Sequence, residues 1–119
     1  MKEYLYIPES FKKLNTEEIN KICNGCGAKE GINVPDTFYG LSITEACDIH
    51  DYMYHMGKTI KDKEEADRVF LNNLLRIVNK ESKCCVLKFL RRRRAKKYYL
   101  AVKILGGPAY WDNKIKPEK

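Results

Sequence analysis

Four residues of the segment ITEACDIHDYMY, residues 43–54, carry chemistry: Cys47, His50, Asp51 and Tyr54. On a helix, which turns about 100° per residue, spacings of i, i+3, i+4 and i+7 set them along one stripe. A histidine in that setting can take a proton from water if a carboxylate fixes its tautomer and orientation. Asp67 can be that carboxylate. It lies inside an apolar helical pattern beside Phe70, Leu71 and Leu74, where an acid needs a buried partner. Tyr54, once buried, needs an acceptor for the same reason. Asp51 follows His50 directly and projects about 100° away from it, so it is left to bind a cation. A hard ion such as Ca²⁺ takes several oxygens, and the glycine-rich stretch beginning at Asn24 offers unhindered carbonyls.

The same residues support a second chemistry. Cys23-x2-Cys26 and Cys47-x2-His50, with twenty residues between the pairs, approach the ligand spacing of a zinc site. With a basic helix added, that set makes a zinc-stabilised nucleic-acid-binding module. The two readings part at Cys47. It is a thiolate ligand in the second, whereas a disulfide to Cys26 would make it a staple that pins the loop one turn from His50. Cys23, Cys26, Cys47, Cys84 and Cys85 are five in number, so at least one is free, intermolecular or a ligand.

The elements that must position these groups are mostly α. LNTEEINKIC reads as a short helix capped by Asn15, with Glu18 at capping-box spacing and Ile19, Ile22 and Cys23 on one face. Residues 24–42 hold Gly25, Gly27, Gly31, Pro35 and Gly40, a density that predicts a long irregular loop. A helix then starts at Ser42 or Thr44 and runs to about Gly57. The next, from about Lys61 to Lys80, carries Ala66, Phe70, Leu74 and Ile77 or Val78 on its apolar stripe. A short turn at Gly57 should return it antiparallel to the first, bringing Asp67 opposite His50 and Tyr54. A third long helix over 86–105, with Ala95, Tyr98, Tyr99, Val102 and Leu105 inward, stops at the GGP of 106–108. Cys84 and Cys85 either fill the core or link to Cys23. His55 falls off the functional stripe and reads as a surface residue, and Phe38 and Tyr39 read first as packing under the loop.

GCG at 25–27 and CDIHDYMY at 47–54 resemble the calcium-loop and C-x-x-H-D-x-x-Y motifs of secreted-type phospholipase A2. Asp67 in EADRVFLNNL looks like that family's second-helix aspartate, and YYLAVKILGGPAYW resembles the last helix of its small prokaryotic, phage-like members. The likeness covers about residues 20–111. It implies a short N-terminal helix, a glycine-rich calcium-type loop, two antiparallel catalytic helices and a basic C-terminal helix. It further implies calcium-dependent hydrolysis of the sn-2 ester of glycerophospholipids. His50 would be the general base, Asp67 its orienting acid and Tyr54 a hydrogen-bond donor to Asp67. Asp51 and the carbonyls of Gly25, Gly27 and Lys29 would ligate Ca²⁺, the Gly27 N–H would hold the oxyanion, and Cys26–Cys47 would be the disulfide. A domain of the same fold whose activity has lapsed, kept only to bind lipid, is a further alternative.

A chain of 119 residues with 44% hydrophobic content is the size of one domain, here with its core over about 15–111. Its net charge of +7 is local: Ser82 to Trp111 holds nine Lys or Arg and no acid, so the remainder sums to about −2. Arg91, Arg92, Arg93 and Arg94 at its centre suit an anionic phospholipid surface. Phosphate on nucleic acid exerts the same attraction, but the family resemblance implies lipid and no nucleic-acid partner. The opening MKEYLYIPES has no apolar run of signal-peptide length, and no stretch approaches the roughly 18 to 20 apolar residues of a membrane span. The expectation is a chain that is cytoplasmic as synthesised, or released by a non-classical or phage-associated route.

Overall fold

The computed structural model describes residues 4–22 and 37–112. Its architecture is mostly α: α1 (Glu9–Lys12), α2 (Thr16–Ile22), α3 (Thr44–Met56), α4 (Ile60–Glu81), α5 (Cys85–Leu105) and α6 (Gly107–Asp112), with strands β1 (Thr37–Phe38) and β2 (Leu41–Ser42) between α2 and α3. No helix of the described residues is long and apolar enough to cross a membrane.

Local chemistry sets the helix starts. At α2 the Asn15 side chain accepts the Glu18 N–H at 2.8 Å and the Glu18 carboxylate accepts the Asn15 N–H at 3.0 Å, the reciprocal box expected from the sequence. A second such box opens α4, where Thr59 and Asp62 satisfy each other's backbone. At α3 neither expected cap sits at the cap position. That place is taken by Ile43, which is fully buried, while the Ser42 hydroxyl accepts the Thr44 N–H from one residue further out.

Part of the stretch expected to be irregular is ordered as a hairpin. Thr37 pairs with Ser42 and Phe38 with Leu41 in antiparallel register. Its two-residue turn has Tyr39 at φ 48° and Gly40 at φ 84°. Positive φ at both positions gives the twist that a tight hairpin requires. Phe38 points into the core and Tyr39 points out, so only the first of these aromatics packs as expected. Residues 24–36 of the predicted loop lie outside the described residues.

α4 is the central element. His50 of α3 stacks on Phe70, and Tyr54, one turn later, reaches back towards Lys63. Later residues of α3 therefore meet earlier residues of α4, which makes the pair antiparallel, as the short Gly57 turn predicts. α5 also runs antiparallel to α4, since Lys63 bonds to carbonyls at the end of α5 while Ser82 meets Arg91 near its start. Asn73 of α4, fully buried, accepts the Tyr6 N–H at 2.8 Å and donates to the Tyr6 carbonyl at 3.1 Å, which ties the N-terminal segment to the same helix. The main core joins Ile43, Ile49, Leu74, Ile77 and Val78 with Phe38, Ala95 and Tyr98.

On α5, Ala95 and Tyr98 face inward as expected and Tyr99 and Val102 are half-buried, but Leu105 is exposed. It falls on the last residue of the helix. α5 ends at Gly106, where the sequence predicts a stop, and α6 follows at once rather than a loop. Cys84 and Cys85 neither fill the core nor pair: both are exposed free thiols.

Candidate active site

Two long helices bring the predicted residues together. Asp67 Oδ1 accepts hydrogen bonds from His50 Nε2 at 2.8 Å and from the Tyr54 hydroxyl at 2.6 Å. All three side chains are buried, with Asp67 only 2% exposed. The Phe70 ring stacks on the imidazole at 4.4 Å and 27°, holding it from one side, and the Tyr54 ring lies 4.2 Å from it. His55 is exposed and lies outside this group.

The charge states follow from the surroundings. Burial pushes the Asp67 carboxyl up, yet hydrogen bonds from His50, Lys63 and Tyr54 outweigh it and hold the group below the ordinary carboxylate range. Asp67 is thus an anion, which only accepts, so the proton on the shared line belongs to His50 Nε2. Burial lowers the His50 imidazole below its ordinary value, against the opposing pull of Asp67. The resting ring is therefore neutral, with its lone pair on Nδ1. Burial, then the bond to Asp67, raises the Tyr54 phenol, which stays a donor at every physiological pH.

One member of the cluster has no counterpart in the sequence reading. Lys63, 5% exposed, donates to Asp67 Oδ2 at 2.8 Å. The only sequence signal for it is its place one turn before Asp67 on α4, within a segment, KDKEEAD, that reads as a solvated charged turn. Tyr110 is likewise unforeseen. Fully buried, it packs edge-on against Tyr54 at 5.0 Å and donates to the Thr59 carbonyl.

Asp51 is half-buried on α3 and close enough for its charge to raise the Tyr54 phenol. Its oxygens suit a hard cation. Among the described residues no group of three or more His, Cys, Asp and Glu gathers to hold a metal. Gly25, Gly27 and Lys29, expected to supply carbonyl ligands to calcium, lie outside the described residues, as do Cys23 and Cys26. Cys47, 2% exposed, is disulfide-bonded; its expected partner Cys26 falls on that undescribed stretch.

The arginine run divides. Arg91, expected at a lipid surface, is instead buried: its Nε donates to the Phe38 carbonyl at 3.0 Å, one terminal nitrogen to the Tyr39 carbonyl at 2.8 Å and the other to Ser82 Oγ at 3.0 Å. It braces the hairpin against α5, on the helix face of Ala95 and Tyr98. Arg92, Arg93 and Arg94 are exposed. Opposite the buried face, α5 presents Val86, Phe89, Leu100 and Ile104, each at least half exposed, with Arg93 and Lys96 among them.

No family model matches the chain, and no curated protein or solved structure matches it significantly.

Proposed function

We propose that this chain is a calcium-dependent phospholipase A2-like hydrolase that cleaves the sn-2 ester of glycerophospholipids with a water activated by His50. The observation that carries this reading is the single carboxylate oxygen of Asp67 shared by His50 Nε2 and the Tyr54 hydroxyl, which fixes the neutral tautomer with Nδ1 as the basic atom. His50 Nδ1 removes a proton from water as the oxygen attacks the ester carbonyl. The same imidazolium then returns the proton to the departing glycerol oxygen as the acyl C–O bond breaks, giving a lysophospholipid and a fatty acid. Asp67 stabilises the transient imidazolium, and the Tyr54 hydroxyl donates to the same carboxylate oxygen. Asp51 with the carbonyls of Gly25, Gly27 and Lys29 would hold the Ca²⁺, which when bound polarises the ester carbonyl and offsets developing negative charge.

Two further observations support this reading over a zinc-bound module. A cysteine in a disulfide is not a thiolate ligand, so Cys47 fits the role of staple. The outward face of α5 alternates basic residues with Phe89, Leu100 and Ile104. Apolar side chains serve no contact with a phosphate backbone, but beside arginines they suit the boundary of an anionic bilayer.

The deciding measurement is fatty-acid release from vesicles of mixed zwitterionic and anionic phospholipid, under oxidising conditions, with Ca²⁺ or with a chelator. Chelator-sensitive release is the expected result. Vesicle binding without any such release overturns hydrolysis and leaves the lipid-binding alternative.

A further inference from the structure

An ammonium group has three N–H bonds, and Lys63 Nζ has three acceptors: Asp67 Oδ2 at 2.8 Å, the Val102 carbonyl at 3.1 Å and the Lys103 carbonyl at 3.4 Å. The two carbonyls belong to the last turn of α5, the negative end of its dipole, and the Val102 carbonyl also accepts the Gly106 N–H at 2.9 Å. Lys63 is buried and its bond to Asp67 is shielded from solvent, so removing the cation would leave Asp67 Oδ2 without the donor that holds it.

We propose that Lys63 is a positioning residue of the candidate site: by holding Asp67 Oδ2 to the end of α5, it turns Oδ1 towards His50 and Tyr54. The geometry leaves little other control over the carboxylate. Both remaining donors, His50 and Tyr54, converge on one oxygen and can follow it if the group rotates about its Cβ–Cγ bond. Among the described residues only Lys63 holds the other oxygen, and its anchoring carbonyls belong to α5 rather than α3. The α5 terminus thereby becomes part of the site although it contributes no side chain to it. A structural ion pair alone would predict stability loss with no change in the His50–Asp67 bond.

The role rests on the His50–Asp67 geometry, and its closest test needs no substrate. The Nε2 proton of His50, held against a carboxylate, gives a downfield proton resonance, assigned by its loss in His50→Gln. In folded Lys63→Met that resonance shifts or disappears. In Lys63→Gln, whose amide still reaches towards Oδ2 without charge, it is displaced less. If Lys63→Met does not fold, displacement in Lys63→Gln decides. An unmoved resonance in the folded variants overturns the proposal.

With anionic vesicles as substrate, Lys63→Met should lose on the order of 10-fold to 100-fold in kcat with KM within roughly threefold, because the defect lies in orientation rather than lipid binding. Lys63→Gln should recover part of that loss. Should the parent chain hydrolyse no phospholipid, the hydrolase reading fails while the resonance still decides the role of Lys63.

Discussion

Gly106 and Tyr54 are in contact: a Cβ on residue 106 would lie 2.7 Å from the Tyr54 hydroxyl and 2.4 Å from the Val102 carbonyl. The glycine is there for room, since its backbone is in the ordinary helical region. Gly106→Ala should push the phenol off Asp67 or bend the end of α5, costing about 1–3 kcal/mol of stability by overpacking. Chemical denaturation measures the loss, and Tyr54→Phe in the Gly106→Ala background should recover part of it by removing the clashing oxygen.

His50→Gln should reduce calcium-dependent fatty-acid release by roughly 100-fold or more, the scale of a general base, while leaving calcium affinity close to that of the parent. Asp51→Asn should do the reverse, losing calcium binding by titration calorimetry and, with it, activity. Equal effects of both substitutions on calcium affinity would contradict the separation of roles.

Arg91 and its neighbours should behave oppositely. Arg91→Met strands the Phe38 and Tyr39 carbonyls and should cost about 2–4 kcal/mol. Replacing Arg92, Arg93 and Arg94 with glutamine should leave the unfolding midpoint nearly unchanged. It should weaken binding to anionic vesicles by roughly fivefold per arginine near the surface, an effect that rising salt erases. Sedimentation with vesicles measures the second effect and urea unfolding the first.

Acid should destabilise the fold in two stages. His50 is buried neutral, with its imidazole below the ordinary value of about 6.5. As pH falls through that value the unfolded chain gains a proton that the folded chain refuses, so stability drops, by at most about 1.4 kcal/mol per pH unit. Asp67 is depressed as well, so its contribution is present above about pH 4 and is lost as pH falls through its folded value. Urea unfolding between pH 7.5 and 5 should show the first slope, and His50→Gln should lack it.

The His50–Asp67 meeting was legible because two regularities cooperate. Helical periodicity put Cys47, His50, Asp51 and Tyr54 on one stripe, and a short turn forced the next helix to return against it. Lys63 was not legible in the same way. Its meaning depends on the carbonyls of Val102 and Lys103, some forty positions away, which no local pattern announces. Arg91 lies between these cases. Four identical residues invite a single role, yet Arg91 sits one turn before Ala95 and two turns before Tyr98, the residues that define the inward face. Helix phase singles it out from Arg92, Arg93 and Arg94. The hairpin was hidden in a stretch whose glycines advertise irregularity, although Gly40 beside Tyr39 is the dipeptide that its tight turn uses.

α4 is gripped from three directions, by α3 at Asp67, by the α5 terminus at Lys63 and by the N-terminal segment at Asn73. A rod braced from three directions is the last to open, so its central amides should outlast all others in exchange with heavy water. The carboxylate that steers the imidazole is thus mounted on the slowest-breathing part of the molecule, and fraying of the hairpin would leave its aim intact.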